Sequence, residues 1–159
     1  MGAMRKKGIA EGGQWPVCAL ASTRRAARLL TQLYDRSLAE YGIEAGQFAL
    51  LMMVDAMAER GQVGIAEALG MDKTTLSRNL KVLRQRGWVE SEAGSEDARR
   101  RELSLTAEGR AMLTKARPGW RRAQDAFREE LKGVEWARLL DTMENVSRAA
   151  MEAGAGKKS

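Results

Sequence analysis

Histidine is absent from this chain of 159 residues, and cysteine occurs once, at Cys18. Without histidine there can be no histidine general base, no serine–histidine or cysteine–histidine nucleophile pair, and hardly any catalytic zinc site. A single cysteine excludes a disulfide within the chain and any cysteine cluster that could hold a metal. Convergent carboxylates and a glycine-rich phosphate loop are missing as well. We therefore expect no metal site, no cofactor and no enzymatic activity.

Long apolar runs are missing too, although 44% of the residues are hydrophobic. No stretch approaches the roughly 20 continuous apolar residues that a spanning helix needs. The basic N-terminus is not followed by an apolar signal core, and it lacks the serine or threonine of a myristoylation motif. These features predict a cytoplasmic protein without membrane contact.

Acidic residues are outnumbered, since 27 lysines and arginines stand against 21 aspartates and glutamates, which gives a net charge of +6. A basic surplus favours polyanionic partners, chiefly nucleic acid. A merely soluble basic surface explains the charge equally well. The order of the residues along the chain has to distinguish that surface from one that binds nucleic acid.

Apolar periodicity and helix-breaking residues divide the chain into predicted elements. Helices are predicted over residues 17–40, 45–59, 63–69, 73–86, 107–131 and 134–152. Pro118 should kink or interrupt the fifth of them. Two strands, 88–92 and 101–105, flank a turn at 93–98. The predicted fold is mainly α with a small β-hairpin wing (α+β).

The segment 62–106 carries the functional pattern, because a short helix, a glycine-containing turn and a longer helix are typical of a helix-turn-helix. Asp72 is a good N-cap for the longer helix. Leu76, Leu80 and Leu83 share one face of it and can be buried. The remaining surface has no acidic residue and can enter a major groove, where hydroxyls and arginine reach base edges and phosphates. The predicted DNA-contacting residues are Lys73, Thr74, Thr75, Ser77, Arg78, Asn79 and Lys81.

Three arginines, Arg99, Arg100 and Arg101, follow the turn of the hairpin. They repel one another unless an anion lies nearby, and Asp97 relieves only part of that repulsion. Phosphates or a narrow minor groove can relieve the rest. Each feature alone is more typical of a solvated surface, but helix-turn-helix, wing and net charge in this order favour DNA binding.

Several motifs resemble the MarR family (multiple antibiotic resistance regulators). They are GIEAGQF at 42–48, IAEALG at 65–70, DKTTLSRNL at 72–80, RGWV at 86–89, DAR at 97–99 and LSLTAEG at 103–109. The resemblance covers roughly residues 17–152. It implies a winged helix-turn-helix homodimer, held together by the first, fifth and sixth helices, that binds pseudo-palindromic operators in double-stranded DNA, usually as a repressor. It also implies that Thr75, Ser77 and Arg78 read bases and phosphates, with Arg99 at the wing and Asp97 orienting it.

The predicted organisation has four parts. Residues 1–14 form a disordered basic tail, 15–42 and 107–153 a helical dimerisation region, 43–106 the winged helix-turn-helix, and 154–159 a second disordered tail. Long terminal helices with one apolar side usually seek partner helices, although they could also pack on each other within one chain. In a dimer the two recognition helices should lie about 34 Å apart.

The resemblance also implies a small aromatic or lipophilic effector, bound between the dimerisation helices and the DNA-binding lobe. An arginine beside aromatic and methionine side chains could hold a carboxylate. The candidate ligand-binding residues are Trp15, Arg25, Arg28, Gln47, Phe48, Met52 and Trp120. These residues are also typical of ordinary core and surface positions.

Cys18 lies at the start of the first helix, near Arg24 and Arg25. A buried small residue is the leading interpretation. The alternative is a thiol-based redox sensor, since a helix N-terminus and nearby cations favour the reactive thiolate. Two further alternatives stay open for the whole protein: a winged helix used only for protein assembly, and a nonspecific architectural DNA-binding protein.

Overall fold

The computed structural model describes residues 18–93 and 101–155, and these contain six α-helices and one antiparallel hairpin. In chain order the elements are α1 (Ala19–Leu38), α2 (Ala45–Ala56), α3 (Gly61–Ala68), α4 (Lys73–Gln85), β1 (Val89–Ala93), β2 (Arg101–Leu105), α5 (Ala107–Glu130) and α6 (Trp136–Ala155). Short 3-10 turns follow α1 and α2, at Ala39–Tyr41 and Ala58–Arg60. The mainly α fold with a β-hairpin wing is confirmed.

The ends of the helices differ from the predicted ones by a few residues. The first helix stops at Leu38, because a 3-10 turn and Gly42, at a φ of 71°, redirect the chain before α2 begins. The last helix continues to Ala155, so the tail predicted from residue 154 begins too early. Residues 1–14, 94–98 and 156–159, for which tails and a turn were predicted, lie outside the described residues.

Pro118 does not interrupt α5, which runs unbroken from Ala107 to Glu130. A proline inside a helix removes one backbone N–H and frees the carbonyl four residues earlier, here that of Thr114. Both Pro118 and Thr114 lie on the exposed face of α5. Water can therefore hydrogen-bond to the freed carbonyl, and the predicted interruption is wrong. The outcome depends on which face of α5 is exposed, and local sequence alone does not show that.

The hydrophobic core lies in the lobe that α2, α3, α4, the hairpin and the first half of α5 form together. The strands pair in the register Val89↔Leu105 and Ser91↔Leu103, so alternate residues point into this core. Its fully or almost fully buried side chains come from α2, α3, α4 and the second strand: Phe48, Leu51, Val54, Ile65, Leu76, Leu80, Leu83, Leu103 and Leu105.

The first helix crosses α5 at very short range. A Cβ atom added to Gly119 of α5 would lie 2.5 Å from the carbonyl oxygen of Ser37, so only glycine permits this approach. The hydroxyl of Tyr34 donates a 2.6 Å hydrogen bond to Gln124 Oε1 across the same pair of helices. Partial burial there raises the pKa of Tyr34. None of the described helices is long and apolar enough to cross a bilayer.

Candidate nucleic-acid interface

The longer helix of the helix-turn-helix, α4, begins as the sequence predicts. Asp72 is its N-cap, with extended backbone angles of φ −71° and ψ 158°. Its carboxylate accepts hydrogen bonds from the backbone N–H of Thr75 at 2.9 Å and from the Thr75 hydroxyl at 2.7 Å. These bonds lower the pKa of Asp72, the hydroxyl contributing most, so the cap is ionised at neutral pH. The start of α4 is therefore fixed independently of any ligand.

One face of α4 is buried and the other is open to solvent. Leu76 is 2% exposed, and Leu80 and Leu83 are fully buried against the lobe. The side chains predicted to contact DNA are all exposed: Lys73, Thr74, Thr75, Ser77, Arg78, Asn79 and Lys81. We call these seven residues the reading face. Within α4 this face has three cations and no acidic residue, so it presents positive charge and hydrogen-bond donors on a rigid support.

Two members of the reading face have partners within the protein. The Thr75 hydroxyl donates its hydrogen bond to the Asp72 carboxylate, which leaves only the lone pairs of the hydroxyl oxygen for a ligand. Asn79 Nδ2 lies 3.8 Å from the sulfur of Met71, a weak contact that a stronger acceptor could replace. Thr75 thus serves first as the partner of the Asp72 cap, and its hydroxyl is less available to a ligand than the exposed side chains of Ser77 and Arg78.

The C-terminal end of α4 meets α5 at a tight joint. Gly87 has a φ of 71°, and Trp88, which is 7% exposed, follows it into the core. Thr106 donates its hydroxyl hydrogen to the Gly87 carbonyl at 2.5 Å and its backbone N–H to the Trp88 carbonyl at 3.1 Å. A side chain at Gly109 would overlap the Trp88 carbonyl oxygen. The end of α4, the start of the wing and the start of α5 therefore form one rigid unit.

The predicted wing is present as the hairpin β1–β2, and Arg101 begins its second strand, opposite Ala93. Ser104 donates a 3.3 Å hydrogen bond to the carboxylate of Glu90 on the outer face. The other predicted wing residues, Asp97, Arg99 and Arg100, lie outside the described residues. Their roles remain predictions from the sequence.

The predicted effector residues occupy different environments. Phe48 is 1% exposed and stacks on half-buried Trp120, with ring centroids 6.3 Å apart. Gln47 is engaged in a capping box, its side chain accepting the Glu44 N–H at 3.3 Å. Met52 is half-buried against the same core. Arg25 and Arg28 lie on an exposed stretch of α1, and Trp15 lies outside the described residues.

The leading interpretation of Cys18, a buried small residue, is wrong for the single chain. Cys18 is exposed and occupies the N-cap position of α1, with extended backbone angles. Its side chain makes no capping hydrogen bond. The thiol is therefore open to reagents in solution unless a second chain covers it.

Sequence reasoning missed two arginines at the end of α4. Arg86 Nη1 donates a 3.0 Å hydrogen bond to the carbonyl oxygen of Gly42, a residue 44 positions earlier in the chain. The Arg84 side chain is half-buried, and its Nε has no hydrogen-bond partner among the described residues. Neither the contact of Arg86 nor the burial of Arg84 has a signature at helical spacing, so periodicity could not have found them.

The geometry defines a class of protein, the winged helix-turn-helix. Its α4 is capped at the N-terminus, buries one face in the lobe and presents a basic face to solvent beside a hairpin. A family model described as the MarR family matches residues 41–100. The transcriptional regulator HosA of Escherichia coli O111:H- is 31% identical over 121 residues, which cover 73% of this chain and 90% of HosA.

Solved structures give the same answer. A crystal structure of the M. tuberculosis transcriptional regulator MosR in complex with DNA is 39% identical, with a TM-score of 0.75, covering 86% of this chain and 98% of that one. The transcriptional repressor CouR, bound to a 23-mer DNA duplex, is 25% identical with a TM-score of 0.75, covering 88% and 99%. The chain belongs to the MarR family. It is a DNA-binding transcriptional regulator and not an enzyme.

Proposed function

We propose that this regulator is a repressor that binds a pseudo-palindromic operator in double-stranded DNA as a homodimer, and that a small aromatic or lipophilic effector releases it. The observation that carries the proposal is the reading face of α4, which is exposed, basic and free of acidic side chains while its leucines are buried. A helix held in this way can enter a major groove without rearrangement of the lobe.

Within the reading face, Thr74, Arg78 and Lys81 recur at spacings of four and three residues and so share one side of α4. Arg78 can form a bidentate contact with guanine, and the lysines can contact phosphates. The structures of MosR and CouR with DNA support this mode of use, since each aligns with most of this chain. The wing residues Arg99, Arg100 and Arg101 are proposed to follow the neighbouring minor groove, with Asp97 orienting Arg99.

The dimer is proposed from α6, a helix of 20 residues that buries none of them in its own chain. Its apolar side chains are left exposed: Leu140 by 48%, Met143 by 44%, Val146 by 49% and Met151 by 59%. Contiguous exposed apolar surface of this kind marks a protein interface. A second copy of the chain would cover it.

A groove of about 220 Å³ continues this apolar surface between α1, α5 and α6. Its lining is apolar apart from the hydrogen-bonded pair Tyr34 and Gln124. Phe127 meets Trp136 edge-on at 5.9 Å and so attaches the start of α6 to α5. We propose that a helix of the second copy packs along this groove, which fixes the distance between the two reading faces.

The effector is proposed to act where the lobe meets the dimerisation helices. Phe48 belongs to α2 and Trp120 to α5, so their stack spans that junction. An aromatic ligand that inserts beside this stack would change the angle between α2 and α5, and with it the separation of the reading faces. Titration of the operator complex with small aromatic acids tests this directly, since release should follow occupancy.

Selection of bound sequences from a random duplex pool tests the proposed function as a whole. Enrichment of a two-fold symmetric site with half-sites about 10 base pairs apart is the expected result. Recovery of sequences without symmetry or preference would contradict it and favour a nonspecific architectural protein. No retention above that of an unrelated basic protein would favour a winged helix used only in protein assembly.

The exposed thiol of Cys18 specifically favours a second candidate, a regulator that responds to oxidants. One cysteine per chain allows only an intermolecular disulfide or a mixed disulfide with a small thiol. Peroxide should then weaken operator binding by the parent protein and leave Cys18→Ser unaffected. Equal responses of the two proteins would remove this candidate.

A further inference from the structure

The chain between α1 and α2 forms a short turn, residues 39–42, that we call the Gly42 turn. It consists of the 3-10 segment Ala39–Tyr41 and the left-handed Gly42, whose backbone N–H bonds to the Ala39 carbonyl at 3.0 Å. The turn is the point at which the first dimerisation helix enters the DNA-binding lobe. Any element that holds it also fixes how the lobe is oriented on that helix.

Arg86, at the C-terminal end of α4, contacts the Gly42 turn from the DNA-binding lobe. Its Nη1 donates a 3.0 Å hydrogen bond to the Gly42 carbonyl oxygen. The guanidinium lies over the ring of Trp88, 5.0 Å from the ring centroid. Because Trp88 is almost completely buried, the indole is a fixed platform, and it aims the guanidinium at Gly42.

Arg122, from the middle of α5, contacts the same turn from the dimerisation region. It donates to the Tyr41 hydroxyl at 3.2 Å, pairs with the Glu40 carboxylate and lies 5.8 Å from the centroid of the Tyr41 ring. The hydrogen bond to Tyr41 is the main reason that the pKa of Arg122 is raised. The close crossing at Gly119 holds the backbone of the turn's neighbour, Ser37, against α5.

These contacts close a triangle. Arg86 connects α4 to the Gly42 turn, Arg122 connects that turn to α5, and Thr106 connects the start of α5 back to Gly87 at the end of α4. A helix fastened at a single point can pivot, whereas a helix end held on two sides keeps one angle. Without Arg86, the hydrogen bond between α4 and the Gly42 turn is lost, and the turn is held to the lobe by the buried side chains of Leu38 and Ile43, whose apolar contacts are not directional.

We infer that Arg86 is a positioning residue that fixes the angle of the reading face relative to the dimerisation helices, and so sets how strictly the regulator measures the distance between half-sites. The inference rests on the proposed binding of an operator by a homodimer. Half-sites one helical turn apart are separated by about 34 Å, and each added base pair also rotates the second half-site about the duplex axis. A rigid pair of reading faces cannot follow that change, but a pair with a loosened angle can.

The test compares affinities for operators whose half-sites are moved apart or together by one base pair. Arg86→Met keeps a long side chain over Trp88 and loses the donor to Gly42. We expect roughly three- to tenfold weaker binding at the preferred spacing, the size of one ordinary hydrogen bond at a solvated site. The penalty for the altered spacings should shrink by a similar factor. Arg86→Lys can still donate to the Gly42 carbonyl and should restore most of the spacing preference.

The slope of log affinity against log salt separates this role from a phosphate contact. If Arg86 contacted DNA directly, Arg86→Met would weaken all spacings equally and reduce the slope by about 0.9. That result, or an unchanged spacing profile in a variant with parental thermal stability, overturns the inference. Lys132→Met, which removes one charge beyond the far end of α5, should leave the spacing profile as in the parent. A parent protein without any spacing preference would instead contradict the proposed operator binding itself.

Discussion

The DNA-binding lobe and the last helix differ in how far their apolar side chains are buried within the chain. In the lobe, Phe48, Leu51 and Leu80 are at most 1% exposed, and the apolar faces of α2, α4 and the hairpin belong to one hydrophobic core. In α6, by contrast, no residue is buried, and Leu140 and Val146 are about half exposed. Both regions have strong apolar patterns in the sequence. Only the lobe completes its core with residues of its own chain.

This difference teaches where the protein's stability and its assembly are encoded. The lobe has the properties of an independently packed unit, whose reading face is presented on a core that needs no partner. The apolar side chains of α6 would gain burial only from further helices that cover them. Substitutions of the same chemical type should therefore have different consequences in the two regions.

Removing a buried leucine from the lobe should have the largest effect. Leu80→Ala deletes a fully buried side chain beneath the reading face and should lower the free energy of unfolding by about 2–5 kcal/mol. Leu140→Ala makes the same change on exposed α6 and should cost far less in a dilute sample. Urea unfolding of both variants at low protein concentration measures the difference. Equal losses would mean that α6 is packed within its own chain.

Two glycine-to-alanine substitutions compare a tightly packed position with an open one. Gly109→Ala places a methyl group against the Trp88 carbonyl and should destabilise the joint between α5 and the wing by about 1–3 kcal/mol. Gly46→Ala, in an open position of α2 with no atom within 4 Å, should instead stabilise the protein by about 0.5–1 kcal/mol. Thermal unfolding of the pair checks the signs. A neutral Gly109→Ala would show that the joint can yield at the Trp88 carbonyl.

A charge placed on each region should separate stability from assembly. Leu140→Glu puts a carboxylate on the proposed dimer surface and should raise the dimer dissociation constant at least about tenfold, because a charge cannot be buried there without a partner. Val63→Glu, at a residue of the lobe that is 54% exposed, should leave the oligomeric state unchanged. Analytical ultracentrifugation distinguishes the two. Dissociation by Val63→Glu alone would place the interface on the lobe.

The smallest expected effect is the pH dependence of the α4 cap. The pKa of Asp72 is lower in the folded protein than the value near 3.9 of an unfolded aspartate. Its contribution to stability is therefore fully present above about pH 4 and is lost as the pH falls through the lower, folded pKa. Asp72→Asn keeps a good cap that does not titrate. Unfolding measured from pH 6 to pH 3 should show a slightly shallower decline for the variant, and a steeper one would contradict the assignment.

Sequence periodicity predicted the parts of the site that depend on neighbours along the helix. Leu76, Leu80 and Leu83 are buried and Arg78 is exposed because positions three and four apart share a face. The N-cap at Asp72 followed from the local chemistry of its side chain. These features are set within a few residues, so a single sequence contains them.

Contacts between distant segments were beyond that reasoning. Arg86 contacts Gly42, 44 residues away in the sequence, and Arg122 contacts Tyr41, 81 residues away. No regular spacing in the sequence predicts either contact. The continuity of α5 through Pro118 and the exposure of Cys18 depend likewise on which face the tertiary packing leaves open. Local pattern thus predicted the reading face, and packing determined how that face is held.

The assignment of the reading face of α4 to DNA is tested most directly by comparing the operator affinities of Arg78→Ala and Lys132→Ala. Both variants remove one positive charge. Lys132, however, lies beyond the C-terminal end of α5, roughly 35 Å along the helix from the end that joins the wing. We predict that Arg78→Ala loses about tenfold or more in affinity and discriminates less against altered bases, whereas Lys132→Ala binds like the parent. Parental affinity and specificity in Arg78→Ala would contradict the assignment of this face to DNA.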